Sequence, residues 1–233
     1  MRLLLLSAVA FVFTAQVHAV CFEPKIRVDD EFFTSQIVFT GTIIADRKVG
    51  VTVQGDFDGH VFRWRVERVL RGKIHVGDVV RTYSEDSSGR FPIEAEEGHQ
   101  VGRRFLIFAS PDSTRVGEYS VDDCGNSVPL SQGTRTIAEI QTLPGRHGGL
   151  LYGEMFDGDE GVRVIATAGG KKYETVSGAE GKFSLRVPPG TYSVTAAKSG
   201  HTYTDFELAY KRSKNVVIPD GGSAGLAFCE VGR

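Results

Sequence analysis

The segment VFRWRVERVL, residues 61–70, is the part of the sequence that decides the fold class. Its apolar residues Phe62 and Trp64 alternate with the charged residues Arg63 and Arg65. Successive side chains of a β-strand point to opposite faces, so this pattern predicts a strand with one face in a core and one in water. It therefore indicates an antiparallel β-protein, and it places Trp64 in the core and the arginines on a solvated face.

Short apolar stretches separated by turn residues recur on both sides of this segment, as expected for an all-β chain. Within the first of them, Gly41 marks a bend or a close backbone approach. The sequence also predicts one short helix, over residues 133–143. The predicted strands of the first half are residues 37–44, 61–70, 78–84, 104–109 and 118–122. Those of the second half are residues 150–156, 162–168, 171–177, 182–187, 191–197, 202–208, 215–218 and 225–230.

Residues 1–19 have the pattern of a signal peptide: Arg2 is followed by an apolar run and by a small-residue cleavage pattern that ends at Ala19. The run is shorter than the roughly 20 apolar residues that a membrane-spanning helix needs. We therefore expect an exported protein that is secreted or periplasmic, or associated with the cell surface. It should be soluble once the leader is removed, without a transmembrane helix. Cleavage after Ala19 makes Val20 the mature N-terminus, and cleavage one residue later makes it Cys21.

Export makes the three cysteines, Cys21, Cys124 and Cys229, candidates for a disulfide before they are candidates for metal ligands. Three cysteines allow three pairings, and each pairing leaves one thiol unpaired. The residues alone do not choose between them.

Composition and motifs argue against several classes of function. The net charge of -2 disfavours general nucleic-acid binding, although Trp64 flanked by arginines offers a stacking platform in principle. None of the six histidines has a partner at zinc-site spacing, so we expect these isolated histidines to lie on the surface. The serine-hydrolase and phosphate-loop motifs are absent. Acidic loops at residues 56–59 and 157–160 match hairpin turns better than calcium loops, because they lack a distal Glu. We expect no enzyme activity, no cofactor and no metal.

The first half resembles the netrin-like domains, a group that includes the tissue inhibitors of metalloproteinases. The resemblance rests on Cys21, on VFTGT at residues 38–42, on Gly98, on RFLIFA at residues 104–109 and on Cys124, together with Phe62, Val66 and the VLRG of residues 69–72. It implies a five-stranded OB-like barrel flanked by helices. It also implies a disulfide from the N-terminus to the region after the last strand, which is Cys21–Cys124 here.

This first half departs from the family pattern in its cysteines. Many relatives open with Cys-x-Cys and have a further Cys in the middle of the barrel, but here Phe22 follows Cys21 and residues 84–97 contain no Cys. One disulfide of the family is therefore missing. Cys229, in an apolar final strand, is predicted to be a buried free thiol.

The second half resembles the carboxypeptidase regulatory-like domains, which are transthyretin-like β-sandwiches without catalytic function. The motifs are LYGEMFD at residues 151–157, GVRV at residues 161–164, GKFSL at residues 181–185 and VPPGTYSV at residues 187–194, followed by Gly200. In the PPG turn, the prolines fix φ and the glycine permits a positive φ between two hairpin strands. Phe183, Leu185, Tyr192 and Val194 are expected to enter one core.

Together, these features predict an all-β chain with minor helix in four parts: a signal peptide (1–19), a netrin-like OB-fold domain (20–143), a linker (144–149) and a regulatory-like sandwich domain (150–233). The predicted function is that of an exported, non-catalytic binding or scaffolding protein whose partner is another exported or surface protein. One alternative is a metalloproteinase inhibitor that acts through Val20, Cys21 and Phe22. Another is an enzyme with a polar cleft at the domain junction.

The cysteine analysis is tested by peptide mapping of the exported protein under non-reducing conditions. We expect a mature chain that starts at Val20, a linked pair of peptides that contain Cys21 and Cys124, and alkylation of Cys229 alone. In the chain-entropy model, a bond that closes a loop of this length stabilises the fold by about 4–5 kcal/mol. A linked peptide that contains Cys229 contradicts the pairing, and a chain that starts at Cys21 favours the inhibitor alternative.

Overall fold

A computed structural model describes residues 26–51, 57–85, 100–122, 124–205 and 215–231. Within these residues, the helices are α1 (Val28–Thr34) and α2 (Thr134–Thr142). The strands of the first half are β1 (Ile37–Val51), β2 (Phe57–Arg71), β3 (Val79–Glu85), β4 (Arg104–Pro111), β5 (Tyr119–Ser120) and β6 (Val128–Pro129). Those of the second half are β7 (Gly149–Met155), β8 (Arg163–Ala168), β9 (Lys171–Val176), β10 (Lys182–Val187), β11 (Gly190–Lys198), β12 (His201–Asp205), β13 (Asn215–Ile218) and β14 (Ser223–Glu230). None of the helices in this described part is long and apolar enough to cross a membrane.

The first five strands form a sheet that closes on itself. Their order is β1-β2-β3-β5-β4, and β4 pairs again with β1, so each strand has a partner on both sides. The β3–β5 pair is parallel and the other pairs are antiparallel. β6 pairs with β4 outside this ring. The predicted five-stranded OB-like barrel is confirmed, and closure satisfies the strand edges that an open sheet would expose.

β1 and β2 must coil strongly to take part in this closed sheet. Their pairing shifts register at three points, one of them between Thr40 and Gly41. A Cβ added at Gly41 would lie 2.8 Å from the carbonyl oxygen of Arg65 and 3.0 Å from the ring of Phe39. The close backbone approach predicted at Gly41 is therefore confirmed, and it lies at one of the bulges that bend the sheet.

The barrel interior is packed with aromatic rings. Trp64 is fully buried, and its ring meets those of Phe39 and Phe105 edge-on at centroid distances of 6.3 and 5.5 Å. Its indole N–H donates a hydrogen bond of 2.7 Å to the Thr82 hydroxyl. The prediction that Trp64 belongs to the core is confirmed, and the ring is not available to stack on a base.

A second apolar layer lies between the barrel wall and the two helices. Leu106 and Phe108 of β4 point away from the barrel interior and pack with Phe32 of α1 and Ile140 of α2. β4 is thus buried on both faces, which explains its uninterrupted apolar run. The residues themselves did not predict α1, since its segment VDDEFFT contains three consecutive acidic residues. Only the family resemblance implied helices beside the barrel.

The second half forms an eight-stranded arrangement in the order β10-β7-β14-β12-β11-β8-β9, with β13 paired to β11. β14 runs parallel to β7, and the other pairs are antiparallel. Phe183, Tyr192 and Val194 are buried in one core, with Leu185 packed at its edge. The predicted β-sandwich is confirmed.

Several predicted boundaries differ from the observed ones. β1 extends seven residues beyond the predicted end at residue 44. The strand predicted over residues 118–122 contains only Tyr119–Ser120. β6 was not predicted, and residues 206–208 of the strand predicted over 202–208 lie outside the described part. The extra residues of β1 pair with the start of β2 and not with β4, so β1 and β2 extend together as one long hairpin.

Replacing Gly41 by Ala tests the close approach in the barrel wall. The added Cβ must displace backbone, so we expect Gly41→Ala to lower the free energy of unfolding by about 1–3 kcal/mol. Urea unfolding followed by the fluorescence of Trp64, the single tryptophan, measures this change directly. Gly145→Ala is the matched control, because open space surrounds the Cβ added there. Equal unfolding midpoints for the two variants contradict the packing described here.

Candidate functional site

The most distinctive site is a polar cluster between the barrel side and the sandwich. It is built on α1, whose consecutive acidic residues Asp29, Asp30 and Glu31 are only 4%, 7% and 5% exposed. Carboxylates are rarely buried without partners, because removing a charge from water is costly. We call the following set the junction cluster: Arg27, Asp29, Asp30, Tyr152, Ser223 and Gly225.

Asp30 is held by two strands of the sandwich. The Tyr152 hydroxyl on β7 donates to Asp30 Oδ2 at 3.1 Å, and the backbone N–H of Gly225 on β14 donates to the same oxygen at 2.8 Å. The oxygen of Tyr152 accepts a hydrogen bond from the Arg27 backbone N–H at 3.0 Å. A short chain of hydrogen bonds thus connects the segment before the barrel to two sandwich strands.

Asp29 makes a second connection to the sandwich. Its Oδ1 accepts hydrogen bonds from the Ser223 hydroxyl at 2.8 Å and from Arg27 Nε at 3.0 Å. Arg146, in the segment that joins the two halves, places Nη1 4.0 Å from Asp29 Oδ2. Charge-assisted hydrogen bonds of this kind are stronger than neutral ones. Asp29 itself is buried, whereas the side chains of Arg27 and Arg146 are partly exposed.

Glu31 points the other way, toward the barrel. Its Oε2 accepts hydrogen bonds from the backbone N–H and the side-chain amide of Asn126, at 2.6 and 2.7 Å. The Glu31 carboxylate also leaves no room for a Cβ at Gly125. The Asn126 amide further donates to the Ile26 carbonyl at 3.0 Å. α1 therefore fastens the turn that follows Cys124 as well as the sandwich.

The environment of Tyr152 changes its ionisation. Burial, together with the neighbouring negative charge of Asp30, raises the pKa of the Tyr152 hydroxyl well above its ordinary value. The protonated hydroxyl is the form that can donate to Asp30, so this shift favours the hydrogen bond. The junction cluster contains ionisable groups, and one of them, Tyr152, has a strongly shifted pKa. The enzyme alternative required groups of this kind. These groups are buried and hydrogen-bonded to one another, which suits them to hold the two units together.

The segment predicted as a linker, residues 144–149, is also fixed in place. It begins in a 3-10 turn, Leu143–Gly145, in which Leu143 is buried against the helices. The Gly148 N–H donates to the Asp220 carboxylate at 2.8 Å, and the Gly221 N–H donates to the Gly148 carbonyl at 2.7 Å. The loop between β13 and β14 thus clamps the connection from the sandwich side.

A second candidate is the acidic loop at residues 157–160. Asp157 and Asp159 approach Glu230 of β14, and their carboxylate oxygens lie within 4.8 Å of one another. Tyr203 donates to Asp159 at 2.8 Å, and His201 Nδ1 lies 2.7 Å from Glu230 Oε1. Glu230 is a distal acid that the sequence pattern alone did not supply. Three carboxylates remain fewer than the six to eight oxygen ligands typical of Ca²⁺.

The structure does not describe all of the other acidic loop, residues 56–59, or the N-terminal residues of the inhibitor alternative. Asp56 lies outside the described residues, and so do Val20, Cys21 and Phe22. The Cys21–Cys124 disulfide stays a prediction. Cys229 lies in β14 with a free thiol, 3.7 Å from the Thr204 carbonyl oxygen.

His60 corrects the expectation that the isolated histidines lie on the surface. It is fully buried inside the barrel, with Nδ1 2.7 Å from Asp46 Oδ1, and its ring stacks on Phe62. The signal was available in the sequence, because His60 has the same strand parity as Phe62 and Trp64. His75 and His147 are exposed as expected.

Comparisons with known proteins add little. No family model matches the chain, and no curated protein matches it. Among solved structures, it is similar to a form of the major pilin subunit BcpA of Bacillus cereus, at 11% sequence identity and a TM-score of 0.23. The match covers 83% of this chain and 59% of the pilin chain, so the chain spans about three fifths of the pilin's length. A similarity this weak carries no argument about fold or function.

Removing the Tyr152 hydroxyl tests the junction cluster. Tyr152→Phe takes one donor from the buried Asp30 carboxylate, so we expect the free energy of unfolding to fall by about 1–3 kcal/mol. Tyr173→Phe is the matched control, because the Tyr173 hydroxyl makes no hydrogen bond within the described part of the chain. We expect the control to change stability by less than about 0.5 kcal/mol in urea unfolding.

The wild type and Tyr152→Phe should also differ in how their stability depends on pH. An unfolded tyrosine ionises near pH 10, whereas the raised pKa keeps folded Tyr152 protonated at higher pH. The wild type should therefore lose stability relative to Tyr152→Phe as the pH rises above about 10. A stability difference that stays constant up to about pH 11 contradicts this account of Tyr152.

Proposed function

We propose that this chain is an exported, non-catalytic binding and scaffolding protein in which the barrel and the sandwich act as one rigid unit. The observation that carries the proposal is the junction cluster, in which buried carboxylates of α1 are hydrogen-bonded to β7 and β14. Interfaces between domains of one chain commonly permit relative motion. Charge-assisted contacts oppose that motion, because opening the interface breaks several such hydrogen bonds at once.

The strand order of the barrel supports a netrin-like first domain. The position of Ile26 also supports this assignment. Its carbonyl accepts a hydrogen bond from the side chain of Asn126, which is close to Cys124, and Ile26 lies five residues after Cys21 in the sequence. A few extended residues span about 3.3–3.6 Å each, so the two cysteines are within reach of each other. We propose the Cys21–Cys124 disulfide on this basis. The regulatory-like assignment of the sandwich rests on its turn motifs.

The proposed partner is another exported or surface protein. A rigid pair of β-domains presents loops and sheet faces at fixed distances, which lowers the entropy cost of binding a partner at more than one point. The absence of a nucleophile or zinc motif in the sequence is in keeping with this role.

The proposal is tested by cross-linking and affinity capture of the full exported protein from its own exported fraction. We expect one partner protein that is captured reproducibly and binds again when both proteins are purified. Asp30→Asn, which weakens the junction, should reduce its affinity if the partner contacts both units, whereas Tyr173→Phe should not. Catalytic turnover by the purified chain, or stoichiometric inhibition of a metalloproteinase by a chain that starts at Cys21, overturns the proposal.

A further inference from the structure

We propose that the outer face of β1, β2 and β3 docks an extended acidic segment of the partner protein. The inference rests on the proposed binding function and names the chemistry of the partner. The docking residues are four arginines, which we call the arginine face: Arg47, Arg63, Arg65 and Arg81.

The centre of the arginine face is a cross-strand pair of like charges. Arg63 of β2 lies directly opposite Arg81 of β3 in the antiparallel register, and both side chains are exposed. Directly opposed residues have Cβ atoms about 4.5–5.5 Å apart, and like charges in this position destabilise a sheet. An anion bound between the two guanidinium groups would offset this repulsion, so the pair forms a candidate anion-binding position.

The other two arginines extend this positive charge along the sheet. Arg65 lies two residues beyond Arg63 on the same face of β2, and it is paired with Val79 of β3, two residues before Arg81. On β1, Arg47 lies two residues beyond Ala45, the partner of Arg63. All four arginine side chains are exposed.

Nearby carboxylates in the described part of the chain are already engaged elsewhere. Glu67 accepts hydrogen bonds from Thr42 at 2.6 Å and from Arg104 at 2.8 and 2.6 Å. Asp46 points into the barrel toward His60. Within the described residues, none of the four side chains of the arginine face forms a hydrogen bond or an ion pair. Their charge is therefore available to a partner.

Arginine chemistry defines the partner. A guanidinium group presents parallel N–H donors that match a carboxylate bidentately, so one carboxylate between Arg63 and Arg81 converts repulsion into two charge-assisted contacts. In an extended peptide, alternate side chains lie on one face about 6.8 Å apart, which is also the spacing of Arg63 and Arg65. A segment with acidic residues at alternate positions therefore fits the arginine face in register.

The size of the arginine face favours a protein segment over a long polyanion. It contains four arginines and is bounded by the Glu67–Arg104 ion pair at one end. The whole chain has a net charge of -2, so a polysaccharide or nucleic acid that runs beyond this face meets an unfavourable surface. A short acidic segment contacts only the arginine face and does not extend over the surface beyond it.

The test uses the full mature protein and two fluorescent peptides, one of alternating Glu and Ser and one of alternating Gln and Ser. By anisotropy at low salt we expect binding of the Glu peptide only.

The double variant Arg63→Glu/Arg81→Glu should weaken the affinity for the Glu peptide at least about tenfold. The variant Arg63→Lys/Arg81→Lys should weaken this affinity about threefold, because lysine keeps the charge but loses the bidentate fork. Lys171→Glu/Lys172→Glu on β9 is the matched control and should change affinity less than about twofold.

Trp64 fluorescence checks that each variant keeps the folded barrel. The neutral variant Arg63→Gln/Arg81→Gln replaces the Glu double variant if that one does not fold.

Equal binding of the Glu peptide by the wild type and by the neutral variant overturns the inference. So does tighter binding of heparin or single-stranded DNA than of the Glu peptide. If the wild type captures a partner protein and the arginine variants capture it equally well, the arginine face is refuted and the binding function stands. If the wild type captures no partner while the Glu peptide still binds at the arginines, the proposed binding function is contradicted. The arginine face is then still supported as a site for acidic peptides.

Discussion

A carboxylate buried away from water requires hydrogen-bond donors, and α1 buries three carboxylates in succession. The donors come from opposite directions. Asn126 satisfies Glu31 from the barrel side, whereas Tyr152 and Gly225 satisfy Asp30 from the sandwich. This requirement ties the two halves of the chain to one seven-residue helix, because that helix takes donors from both halves.

The rigid junction changes what the surfaces of the protein can do. With the two units held together, groups on the barrel wall and groups on the far sandwich loops keep fixed positions relative to one another. The arginine face on β1 to β3 and the carboxylate cluster of Asp157, Asp159 and Glu230 then present opposite charges on one body. In the proposed role, a protein of near-neutral net charge would bind its partner through such local charge.

Strand alternation predicted most of the core, and it was also right at His60, where residue type pointed to the surface. Phe62 and Trp64 were assigned to the interior by parity, and both are buried. His60 has the same parity and is also buried, but its residue type suggested the surface. Parity was the better guide, because a side chain on the inner face of a closed barrel has no route to water. Asp46 makes this burial possible by giving the ring a polar partner, with its Oδ1 2.7 Å from His60 Nδ1.

The sequence by itself determined the all-β class and most of the strands, because alternation and turn residues act over a few neighbours. The barrel was expected only from the resemblance to the netrin-like domains. Only the tertiary structure decided the role of α1. The acidic run of residues 29–31 looks like a solvated loop, and its partner Tyr152 lies 122 residues from Asp30. No local pattern encodes a hydrogen bond across that distance, because its geometry exists only after both sheets have formed.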